Sequence, residues 1–155
     1  LATNVIDAGP GASARRDFSW AVRVYYEDTD TGGIVFYANY LKFFERARTE
    51  WLRASGVTQQ ALAETARIMF VVRSTAVDYH APAKLDDELK LSVTVERLGR
   101  ASVNFYQEAW VEENGAVRRV ASGRIRVGCL GMDDFRPTPL PQHIMMKLRQ
   151  ALTRQ

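Results

Sequence analysis

Between Tyr25 and Leu52 the chain reads YYEDTDTGGIVFYANYLKFFERARTEWL. Glu27, Asp28 and Asp30 run into Gly32 and Gly33, and an aromatic-rich segment follows at once. A carboxylate beside backbone N–H groups aimed at one point is what acyl transfer requires. The amides polarise a carbonyl and stabilise its oxyanion, while the carboxylate attacks or activates water. The glycine pair lets backbone come close to a ligand, and a helix beginning just after it offers free N–H groups in its first turn. Asp30 is the candidate for this role. Asp28 reads as a turn former that accepts local N–H bonds and complements the helix dipole.

Other chemistries are poorly supplied. As a calcium loop, DTDTGG fails when counted out, because position five is Gly32 and position twelve is Asn39 instead of a bidentate Glu. Cys129 is the only cysteine, which excludes an internal disulfide and a Cys-rich metal site and fits a reducing cytoplasm. With no base beside it, it reads as a buried structural thiol. The two histidines are His80, in DYHAP, and His143; no G-x-S-x-G is present. No metal and no cofactor is expected.

The elements that must position Asp30 follow from periodicity. Ser19 to Glu27 alternates, with Trp20, Val22, Val24 and Tyr26 on one side, as a half-buried strand does. Tyr40, Phe43, Phe44, Ala47, Trp51 and Leu52 recur at spacings of three and four, predicting a helix over Ala38 to Ala54 that Gly56 stops. Its other side, with Lys42, Glu45, Arg46, Arg48, Glu50 and Arg53, is expected to face water. A short helix over Thr58 to Ala66 comes next, with Thr58 as N-cap. Strands are expected at Ile68 to Tyr79, Glu88 to Leu98, Ser102 to Glu113 and Ala116 to Cys129, and a last helix at Gln142 to Leu152. The Asn114-Gly115 pair signals a tight antiparallel reversal. One aromatic helix against five mainly antiparallel strands is a two-layer α+β domain. Residues 1–17 are expected to form a flexible arm and residues 18–155 a single domain.

The totals agree. The chain has 155 residues, 46% of them hydrophobic, enough for one core. A net charge of +3 without a dense basic run argues against nucleic acid and for a small anionic ligand. No apolar run is long enough for a membrane span or a secretory signal.

VRVYYEDTDTGGIVFYANYLKFFERARTEWL closely resembles the start of the Tol-Pal-associated acyl-CoA thioesterases, in the 4-hydroxybenzoyl-CoA thioesterase branch of the hotdog superfamily. The likeness continues through DYHAPAKLDDEL and RIRVGCLGMDDFRPTPLP and covers roughly residues 19–148. It implies a hotdog fold, an antiparallel sheet wrapped around a long central helix. It also implies hydrolysis of acyl-CoA to a free acid and coenzyme A. The second Asp of D-x-D carries over as Asp30, general base or nucleophile, and the carbonyl-polarising amide at the helix start as that of Tyr37, with Gly33 beside the substrate. Some close relatives have histidine at the position of Tyr37. Arg97 and Arg100, in the hairpin ERLGRAS, correspond to the family's phosphate-meeting basic residues, often supplied by a neighbouring subunit. The resemblance further implies a homodimer or homotetramer and acyl carrier protein as an alternative donor. Two rival readings remain at this point. One is a hotdog hydratase, for which the helix approach lacks a His; the other is a non-catalytic acyl-CoA or acyl-carrier-protein binding module.

Overall fold

The computed structural model describes residues 18–153; the expected arm, residues 1–17, lies outside them. In chain order come β1 (Phe18–Arg23), α1 (Asn39–Ala54) and α2 (Gln59–Ala61, continuing as a π turn over Leu62–Ala66). Strands β2 (Ile68–Tyr79), β3 (Glu88–Leu98), β4 (Ser102–Glu113) and β5 (Ala116–Gly131) follow, then α3 (Gln142–Thr153). The strands form one antiparallel sheet in the order β1-β3-β4-β5-β2. With α1 on its inner face, this is the hotdog architecture.

Local chemistry explains the boundaries. Thr58 caps α2 by accepting from the Ala61 N–H at 3.1 Å. Gly56 ends α1 at φ +87°, a left-handed conformation that favours glycine. Asn114 and Gly115 both have positive φ, as a type I′ reversal between β4 and β5 demands. The inner face buries Leu89, Leu91, Val93, Phe105 and Ile125 against Phe43, Phe44, Ala47, Trp51 and Leu52 of α1. Each large side chain so buried contributes roughly 1.5–3 kcal/mol. At Gly123 of β5 there is no room for a side chain under α1: an added Cβ would lie 3.3 Å from both Phe44 and Val77.

Two expectations are corrected. β1 ends at Arg23, well short of Glu27: the Asp28 carboxylate accepts the Tyr25 N–H at 2.8 Å and winds Tyr26–Asp28 into a 3-10 turn. Tyr26 is therefore 83% exposed, and Trp20 stands half out at the sheet edge. On α1, Arg48 is not on a wet face. Its Nη1 donates to Oε1 of the fully buried Gln107 at 2.9 Å, and Gln107 Nε2 donates in turn to the Phe44 carbonyl at 3.1 Å. Burial lowers the Arg48 pKa to about 10, with Glu45 opposing.

Candidate active site

The loop from Asp28 to Ala38 is held at both ends by backbone. Thr29 bridges to Val35 and Ile34 to Lys84, while the Val35 N–H donates to the Ala83 carbonyl at 2.8 Å. The Phe36 N–H and the Asn39 side-chain amide both donate to the Asp28 carbonyl, at 2.9 and 2.8 Å. Asp28 is thus structural twice over, as expected.

Inside this frame Asp30 turns on itself. Its N–H donates to the Ile34 carbonyl at 2.9 Å, its carbonyl accepts from Gly33 at 3.0 Å, and its Oδ1 accepts from the Gly32 N–H at 2.8 Å. Gly33 takes φ +76°, the reason that position is glycine. One carboxylate oxygen is anchored by the loop. The other has no partner among the described residues, and the side chain is exposed, lining an open depression with Tyr26, Thr31, Gly33 and Leu85.

The amides at the helix start need one correction. The first-turn N–H groups of α1 are not free: Asn39, Tyr40 and Leu41 donate to the carbonyls of Phe36, Tyr37 and Ala38 at 2.9, 3.4 and 3.1 Å. The N–H groups that find no acceptor among the described residues come just before α1, at Tyr37 and Ala38. Tyr37 is the residue singled out from sequence. Its ring is 62% exposed and meets Tyr79 edge-on at 6.1 Å. Tyr40, one turn on, is buried, and that burial raises its phenol to a pKa of about 12.

Arg97 and Arg100 are not brought to Asp30 within one chain. The Asp30 loop sits beside Lys84 and Leu85, just before β3, whereas Arg97 is at the far end of β3 and Arg100 in the turn beyond. Nine residue steps of strand separate Glu88 from Arg97, about 30 Å at roughly 3.3 Å each. Both arginines are exposed and lack a carboxylate partner among the described residues.

A second concavity, about 120 Å³, lies between α1 and the β2 side of the sheet. Leu52, Phe70, Val72, Phe105 and Val127 line it together with the polar Glu45, Arg48 and Thr49. A cavity of that size takes a benzene-sized group.

The other nucleophile candidates are occupied or silenced. His80 Nε2 lies 2.8 Å from Ser122 Oγ, with its pKa lowered first by burial and then by Arg119. Burial pushes the Cys129 thiol up to about 11. Among the described residues no group of His, Cys, Asp and Glu is placed to hold a metal, and no helix is long and apolar enough to cross a membrane. Sequence reasoning passed over Tyr79, whose hydroxyl donates to the Tyr37 carbonyl at 3.1 Å. Its parity with Val77 and Thr75 on β2 was the available signal.

Comparison with known proteins gives a consistent picture. Residues 32–117 match the Thioesterase superfamily model. The acyl-CoA thioesterase YbgC of Haemophilus influenzae is 42% identical over 127 residues, 82% of this chain and 90% of that protein. A probable thioesterase from Bartonella henselae superposes with a TM-score of 0.70 at 30% identity, over 81% of this chain and 99% of that one. The 4-hydroxybenzoyl-CoA thioesterase of a Pseudomonas species superposes with a TM-score of 0.79 at 19% identity, over 85% of this chain and 99% of that one, a likeness of fold.

Proposed function

The chain belongs to the thioesterase superfamily and is a thioester hydrolase, and from that premise we propose that it hydrolyses acyl-CoA with Asp30 as the reactive carboxylate. The observation that carries this reading is the pairing, on one backbone-braced loop, of a carboxylate with one oxygen unpartnered among the described residues and the Tyr37 and Ala38 N–H groups, which have no acceptor among them. The Tyr37 N–H polarises the thioester carbonyl and stabilises the oxyanion. The free Asp30 oxygen either takes a proton from the attacking water and passes it to the departing sulfur, or attacks the carbonyl carbon to form a mixed anhydride that water then hydrolyses. In both cases the C–S bond breaks, the sulfur takes a proton that comes from water, and coenzyme A leaves as the thiol. The left-handed turn at Gly33 lets the thioester approach without a Cβ in the way.

Assembly completes the site. Among the described residues the outer edge of β2 has no partner strand, and Val72 and Tyr79 stand half exposed along it. A second copy pairing there antiparallel would extend the sheet and cover that edge. The two-fold would set the Ile68 end of one β2 against the Tyr79 end of the other. That brings the 120 Å³ cavity of one copy, with its β2 residues Phe70 and Val72, toward Asp30 and Tyr37 of the other. It also brings the Arg97–Arg100 end of the sheet to the side where coenzyme A phosphates would lie. The compact cavity fits a short aliphatic chain or one aromatic ring. The reducing cytoplasm is the compartment that suits the lone thiol.

Thiol release from a panel of acyl-CoAs (acetyl to octanoyl, and benzoyl), with hexanoyl-acyl carrier protein alongside, tests the reading. Asp30→Asn should lose roughly 10²- to 10⁴-fold in kcat. Turnover undiminished in that variant would remove Asp30 from the mechanism. A wild-type protein that binds these thioesters and releases no thiol would return the module reading set aside by family membership.

A further inference from the structure

We infer that Tyr79 is a positioning residue for hydrolysis: through the Tyr37–Ala38 peptide it holds a second oxyanion donor, the Ala38 N–H, in line beside that of Tyr37. The inference rests on the reading that this loop polarises the thioester.

A trans peptide group is planar, so fixing its C=O fixes the opposed N–H. Two peptides lead into α1. The Phe36 C=O accepts from the Asn39 N–H at 2.9 Å, which sets the direction of the Tyr37 N–H. The next C=O, that of Tyr37, has only a long 3.4 Å bond from the Tyr40 N–H inside its own segment. Its shorter partner comes from across the fold, the Tyr79 hydroxyl at 3.1 Å. That phenol therefore sets the direction of the Ala38 N–H, which like that of Tyr37 has no acceptor among the described residues.

Tyr79 is suited to the task. It is the last residue of β2, in register opposite the small Ala121, and the two residues after it stay tied to β5, since the His80 and Ala81 N–H groups both donate to the Val120 carbonyl. Its ring is gripped by Tyr37 at 6.1 Å and Tyr40 at 5.7 Å. Burial first, and then Tyr37, raise its pKa, so the hydroxyl stays a donor wherever the enzyme is assayed near neutral pH. If Tyr79 served only to pack against Tyr40, the ring alone would suffice and the hydroxyl would be free to point to water.

The test removes the hydroxyl and keeps the ring. Tyr79→Phe should lower kcat about tenfold, less than the hundredfold or more of losing a donor outright, with KM within about twofold. A merely structural role would not move the carbonyl itself, so its stretch is the second readout. The best-hydrolysed acyl-CoA of the panel, ¹³C-labelled at the carbonyl, is bound to Asp30→Asn and to Asp30→Asn/Tyr79→Phe protein. The stretch should lie below its solution frequency in the first and move back toward it in the second. An unchanged kcat in Tyr79→Phe, or a reduced kcat with an unchanged stretch, overturns the inference. Asp30→Asn protein that turns over like wild type refutes the Asp30 reading instead, and the kcat comparison in the otherwise wild-type chain still decides the role of Tyr79.

Discussion

Breaking the Arg48–Gln107 pair should cost more than removing both of its members. Gln107 is fully buried on β4 and Arg48 partly buried on α1, and the 2.9 Å bond between them is the only acceptor contact of that guanidinium among the described residues. Gln107→Leu strips the acceptor from a partly buried charge, a loss of about 2 kcal/mol. Arg48→Met leaves the Gln107 carbonyl oxygen buried and unsatisfied, about 1–3 kcal/mol. Together the two changes remove both polar groups and replace them with apolar volume, so the double variant should lie within about 1 kcal/mol of wild type. The coupling energy of the cycle is then about 3 kcal/mol. Urea unfolding of the four proteins at one fixed protein concentration measures it, the fixed concentration being needed because assembly adds to apparent stability. In thermal scans each single variant should melt roughly 4–8 °C lower for a loss of about 2 kcal/mol. Additive single effects, with coupling below about 0.5 kcal/mol, would show that the guanidinium finds water in place of Gln107 and that the pair does not pin α1 to the sheet.

Two further outcomes follow from the same structure. Arg97→Ala/Arg100→Ala should raise KM for the best acyl-CoA while leaving kcat within about twofold, and the defect should shrink for the pantetheine thioester, which lacks the phosphates; equal KM changes for both substrates would remove the arginines from phosphate binding. Cys129, with its thiol pushed to about 11 by burial, should resist iodoacetamide at pH 8 in native protein and react once unfolded. The sign for stability follows: ionisation of this thiol is easier in the unfolded chain, so its contribution is intact below pH 9 and declines toward pH 11. Rapid labelling of the native protein would contradict its burial.

Much of this was legible in the chain itself. Period-two and period-3.6 patterning located the inner strands and α1 because their apolar residues pack on one face each, and the Asn114-Gly115 reversal and the Gly56 stop announce themselves by conformational need. Asp28 was legible as a turn former. Legibility failed where a partner distant in sequence decides the outcome. β1 stops at Arg23 because a carboxylate three residues ahead captures the Tyr25 N–H, which alternation does not record. Arg48 looks like a surface residue on a helical wheel until Gln107, 59 positions away, supplies an acceptor in the core.

The candidate site divides in the same way. Sequence alone determined that a carboxylate and a pair of glycines precede an aromatic helix, since those are properties of neighbouring residues. Tertiary structure decided which helix-approach amides lack an acceptor among the described residues, because hydrogen bonds to the carbonyls of Phe36, Tyr37 and Ala38 consume the first turn of α1 and leave the two N–H groups before it. It also decided that Tyr79 meets the Tyr37 carbonyl, 42 residues back along the chain, and that Arg97 and Arg100 stand at the opposite end of the sheet from Asp30. Direction and distance in space depend on strand order and register, which sequence spacing along one segment does not carry.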